Sequence, residues 1–256
     1  MTTTSKLACR IATMLALLLT APIAAQADVL VGAGSTVHFA DAQVDLGCGN
    51  LIVNGSADTA SATLAHVASF ALNGGAFALG GGTLSLGGDF SNAGAFTPGT
   101  GNVALTDACG SGTSTFAGAS HFYALSIATT SGKLTIFPVG LAQNVAHALS
   151  LQGAAATLLR IASSTAGQQG VLALAAGATQ SVAYVDARDN LASVTPIAPG
   201  AASLYQSINS GNLTHWFDIN GGGGNTAVPT PMLGSLALLL LAALMAACAW
   251  KRSWRA

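Results

Sequence analysis

Leu51-Ile52-Val53-Asn54-Gly55, Phe70-Ala71-Leu72-Asn73-Gly74 and Leu84-Ser85-Leu86-Gly87-Gly88 carry one pattern, apolar at the first and third positions and then a turn pair. Alternation with a period of two places the first and third side chains on the same side of an extended strand. Asn-Gly and Gly-Gly are turn signals, so each unit reads as a short strand followed by a sharp change of direction. The unit returns at Leu149-Ser150-Leu151-Gln152-Gly153, and related runs stand at Val29-Leu30-Val31, Val37-His38-Phe39, Val103-Ala104-Leu105 and Leu134-Thr135-Ile136-Phe137. The stretches 121 to 127 and 145 to 149 alternate in the same way. Recurrence at roughly 14 to 20 residues predicts a degenerate repeat array.

Two all-β folds satisfy this pattern. A parallel β-solenoid stacks one coil on the next, with small residues at the corners. A β-sandwich packs two antiparallel sheets face to face. The recurrence of the unit, and outward positions rich in Ser, Thr and Asn that can stack in ladders, favour the solenoid.

Composition narrows the partners. Between residues 28 and 230 there are nine Asp, no Glu, and only Lys133, Arg160 and Arg188 among Lys and Arg, so the side-chain balance is three minus nine, or −6. Phosphate backbones are bound by clustered Lys and Arg, which excludes nucleic acid as an expected partner. Glu and Lys, the usual surface residues of exposed helices, are almost absent, which again favours turning β-structure.

The two ends read as addresses. Lys6 and Arg10 precede an apolar run from 11 to 21, and Ala25-Gln26-Ala27 supplies the small-x-small pattern of a signal-peptidase site. This assigns 1–27 to a signal peptide and 28–219 to the exported domain. A Gly- and Pro-rich linker at 220–231, an apolar helix at 232–250 and a basic tail at 251–256 follow. From Leu233 to Trp250 a helix would run about 27 Å, close to the roughly 30 Å of a bilayer core. Lys251, Arg252 and Arg255 then place the C-terminus in the cytoplasm and the domain outside. A permanent single-pass anchor is the alternative reading of the same segment. Export to an oxidising compartment would let Cys48 and Cys109 pair, with two buried thiols as the alternative.

The chemistry-bearing residues form no recognisable constellation. His38, His66, His121, His147 and His215 lack metal-ligand spacing, and Asp41 and Asp45 look like turn or strand-end residues. Asp186, Arg188 and Asp189 read as a solvated turn with a local ion pair, having too few oxygen ligands for calcium. No catalytic residue, metal or cofactor is expected. A carbohydrate-active enzyme is disfavoured because three basic side chains spread over more than fifty residues are hard to gather around an acidic sugar.

The order from Leu46-Gly47-Cys48, through the stretch 88 to 94 and Asp107-Ala108-Cys109, to Phe122-Tyr123-Ala124-Leu125 resembles a group of bacterial exported β-repeat proteins. The likeness continues at the stretch 149 to 153, at 160 to 167, at Tyr184-Val185-Asp186, and at 209 to 212 with Trp216-Phe217. It implies a fold and a surface setting rather than an activity. Val228-Pro229-Thr230-Pro231, followed by the apolar segment and the basic end, resembles the IPTL-CTERM sorting signals, relatives of the PEP-CTERM signals. Pro231 stands where Leu is usual, and Trp is found only at Trp250 and Trp254, which leaves the choice between the two sorting classes open. The resemblance implies transient residence in the inner membrane and cleavage by an exosortase-like transpeptidase. The expected product is a non-enzymatic cell-surface or matrix protein. An adhesin-like protein that binds surface polysaccharide is the alternative.

Overall fold

The computed structural model describes residues 27–217, which form a parallel β-solenoid. Ala25, the 228–231 motif, the apolar segment and Lys251, Arg252 and Arg255 lie outside the described residues. Ala27 is exposed and stands two residues before the first strand, Val29–Val31.

Every ladder between successive coils is parallel, for example Val29–Val31 on Leu51–Val53 and Thr36–His38 on Ser56–Asp58. A sandwich would need antiparallel hairpins, so strand direction decides between the two folds. The first face is a nine-stranded sheet running from Val29–Val31 to Ile208–Asn209, which makes eight coil-to-coil steps. The early steps are 22, 19, 20 and 26 residues long (51 − 29, 70 − 51, 90 − 70 and 116 − 90).

That period is longer than the spacing of the recurring strand units suggests, because each early coil holds three strands. The second-face strands Ser56–Asp58, Ala76–Ala78 and Ala95–Thr97 each turn only their middle residue inward, namely Ala57, Phe77 and Phe96. One inward side chain gives no alternation to detect in the sequence. The third face starts at Gln43–Asp45 and continues through Thr63–Val67, Thr83–Leu86 and Asn102–Leu105.

Two longer strands, Ser120–Ala128 and Ala142–Gln152, run around the corner between the second and third faces. Their leading halves pair through Phe122↔Val145 and their trailing halves through Leu125↔Leu149, with Tyr123 opposite both Ala146 and His147. The extra residue is a β-bulge, which bends the strand where a turn would otherwise break it. Beyond it, Ala142–Gln152 parts company with itself. Its first half carries Gly170–Leu174 and its second half Thr179–Ala183.

Register aligns like with like in the core. Leu64, Leu84, Val103, Leu125 and Leu149 form one inward column, and Leu51, Phe70, Phe90 and Phe116 another. Phe90 is fully buried, with ring centroids 5.0 Å from Phe70, 5.4 Å from Phe96, 5.8 Å from Phe116 and 5.2 Å from Phe122. Phe137 extends the series by stacking on Phe116 at 5.0 Å. Outside, Thr63, Thr83 and Asn102 stand in one polar column, and Asn102 Nδ2 donates to Ser126 Oγ at 3.0 Å.

Candidate functional site

Cys48 and Cys109 are joined by a disulfide, with their Cα atoms 5.3 Å apart. Cys48 lies at the corner leading from the first coil to the second, and Cys109 follows the fourth coil. At the parallel strand spacing, three coil steps amount to about 14 Å. The segment 107 to 111 therefore folds back along the corner as a strap. It crosses Gly87, where a β-carbon would meet the Ala108 carbonyl oxygen at 1.9 Å, so only glycine permits the crossing. Cys109 Sγ then lies 3.7 Å from the His66 carbonyl, and Cys48 N–H donates to that same carbonyl at 2.7 Å.

Lys133 secures the strap from beneath. Its side chain is fully buried, and Nζ donates to the carbonyls of Gly87 and Ser111, each at 2.5 Å, and to Ser114 Oγ at 3.2 Å. One amine thus ties the strap, through Ser111, to the coil corner it crosses. Burial holds the ammonium below the ordinary lysine range, while Asp107 and Asp89 act in the opposite sense. Burial of the Asp107 carboxyl pushes its pKa up, but hydrogen bonds from Thr129 and from Thr130 and Ser131 bring it below the usual value.

The native chain therefore gives up the Lys133 proton at lower pH than the unfolded chain. In that window, which ends near the ordinary lysine pKa of about 10.4, the unfolded state binds more protons, and stability rises with pH. Lys133→Met deprives the Ser111 carbonyl of its partner, at an expected cost of about 1–3 kcal/mol. Denaturant titrations of the two proteins at about pH 8 and about pH 10 should show wild type gaining on the variant as pH rises. A gap that is constant or shrinking would mean that Lys133 is not held with a lowered pKa.

The remaining candidates are dispersed. His38 Nδ1 hydrogen-bonds Asp58 on the neighbouring coil, and His66 Nδ1 lies 2.8 Å from Asp45 Oδ2. The Gly47 N–H and His66 hold the Asp45 carboxyl below its ordinary pKa. Asp41 receives the Ser61 hydroxyl, as a turn residue would. His215 Nδ1 lies 3.1 Å from the Ala192 carbonyl. Tyr123 and His147 stack at 4.5 Å beside the bulge, next to an apolar corner groove of about 340 Å³ lined by Pro98, His121, Tyr123, Asn144, Ala146 and Val194. Among the described residues no group of three His, Cys, Asp or Glu could hold a metal ion.

Two sequence expectations change. Asp189 does not sit in a solvated turn. Its side chain is 7% exposed, because Asn212 Nδ2 donates to Oδ1 at 2.7 Å and Arg188 Nε covers Oδ2 at 3.5 Å. The basic residues are not scattered either. Lys133, Arg160 and Arg188 lie 27 and 28 residues apart (160 − 133 and 188 − 160), about one coil each, so they come to rest on successive coils of the first face. Lys133 turns into the core, whereas Arg160 and Arg188 share an outer groove of about 210 Å³. Compared with known proteins, the chain matches no family model, no curated protein and no solved structure.

Proposed function

We propose that the protein is an exported structural component of a bacterial cell surface or extracellular matrix, delivered by its signal peptide and released or attached when its C-terminal sorting tail is cut. The observation that carries this reading is the Cys48–Cys109 strap. A structural disulfide that closes a long loop persists in an oxidising compartment and is rare in a reducing cytosol. The folded body suits the role, because stacked coils make a rod whose stability grows by neighbour contacts and whose outer columns are short polar residues. The tail residues Val228, Pro229, Thr230 and Pro231, with Lys251, Arg252 and Arg255 beyond the apolar segment, supply the recognition and stop-transfer elements for an exosortase-like enzyme in the inner membrane.

Fractionation and intact-mass measurement of cells expressing the full chain, beside a version ending at Thr226, tests the proposal. The full chain should yield a product that starts at Asp28, ends near residues 228–231 and has both cysteines protected from alkylation. The shortened version should leave the membrane fraction without processing. A surface-fraction product that retains peptides spanning Pro229 to Trp250 would remove tail cleavage and leave a permanent anchor. Free thiols in the product would remove the support that the strap gives to export.

A further inference from the structure

We infer that the groove holding Arg160 and Arg188 binds an acidic polysaccharide, with the two guanidinium groups taking the carboxylate of a uronic acid residue. Among the described residues Lys and Arg number three, and burial of Lys133 leaves these two as the lysine or arginine cations open to solvent. The coil period brings them to one place. Arg160 pairs in register with Asp186, and Arg188 follows two residues later on the same outward side, its N–H donating to the Ile161 carbonyl at 2.9 Å.

Neither cation is neutralised within the groove. The Arg160 guanidinium is exposed and has no hydrogen-bond or ion-pair partner among the described residues. Arg188 is 58% exposed, and its ion pair with Asp189 engages Nε alone, leaving both terminal nitrogens available. In a domain whose side-chain charges sum to −6, two open guanidiniums in one groove are a local reversal of sign. The planar fork of arginine matches a carboxylate.

The other lining groups select the kind of anion. Asp186 stands between the arginines and accepts the Ser210 hydroxyl at 2.5 Å, leaving further acceptor capacity facing the groove. A carboxylate and a hydroxyl repel or ignore a bare phosphate, but they are the partners that vicinal sugar hydroxyls need. A uronic acid presents a carboxylate and hydroxyls on one ring, matching both halves of the set. An open groove along stacked strands also leaves room for the polymer to continue in both directions.

The inference rests on the surface reading for its setting, since that is where such polymers meet the protein. The test uses the full chain purified in mild detergent, titrated with an oligogalacturonate, with its neutral methyl ester and with inorganic phosphate. The acid oligomer should bind about tenfold or more tightly than the ester, and phosphate at equal concentration should not displace it. Arg160→Ala and Arg188→Ala should each weaken binding by about tenfold or more, at an unchanged melting temperature. Equal binding of acid and ester, displacement by phosphate, or unaltered binding by the double alanine variant would each overturn the proposal. Fractionation of the same variants keeps the two readings apart, because loss of binding with normal surface delivery concerns the groove alone. Failed delivery of wild type with intact binding in vitro concerns the surface reading alone.

Discussion

Reduction of the Cys48–Cys109 bridge lowers the stability of the solenoid by about 4 kcal/mol, the loop-closure value for a sequence separation of 61 residues. For a body of this size the shift in apparent melting temperature is on the order of 10 °C, read by scanning calorimetry with and without reductant. The loss is local in character. A stacked array is held by neighbour interfaces, and the strap adds a tie between coils that are not neighbours. Hydrogen exchange in the reduced protein should therefore rise first in the amides of residues 29 to 112, while Leu159–Ser163 and Asn190–Val194 keep their protection. A reduced protein that melts within about 1 kcal/mol of the oxidised one would show that the strap constrains nothing.

Phe90→Ala should cost about 3–5 kcal/mol in urea unfolding, the usual range for removing a buried aromatic ring. The site favours the upper part of that range. Phe90 touches four other phenylalanine rings drawn from three coils and two faces, so the cavity cannot close by movement of one neighbour. Phe90→Leu keeps most of the volume and should cost less than about 1.5 kcal/mol. Phe96→Ala is the internal comparison, since Phe96 is only half-buried and should lose less than Phe90→Ala. Equal losses at Phe90 and Phe96 would mean that the aromatic column is not the centre of the core.

The strands of the first face and the third could be read in advance because they turn two apolar residues inward. Leu51-Ile52-Val53 and Leu84-Ser85-Leu86 each show the period directly. Ser56–Asp58 shows a single inward Ala57 and was invisible, and with it went the true coil length. The arginine groove was hidden for a related reason. Arg160 and Arg188 look unrelated at 28 residues apart (188 − 160) until the coil step is known to be 26, as from Arg160 to Asp186 (186 − 160). The fate of Lys133 could not be read at all. Its neighbours Gly132 and Leu134 predict a surface strand start, and only the strap overhead, with the Ser111 carbonyl turned inward, supplies acceptors that make burial of the amine tolerable.

The strap also works as a ruler. Its reach is fixed by the segment 107 to 111, and the sulfur atoms meet only when three coil steps separate the corner at Cys48 from the departure point of that segment. A chain that skipped or doubled a coil while stacking would displace Cys109 by about 4.8 Å along the rod. That is more than the usual spread of Cα separations across a disulfide, about 4.4–6.8 Å. Closure of the bond thus counts the coils, and an oxidised molecule is one in which the count came out right.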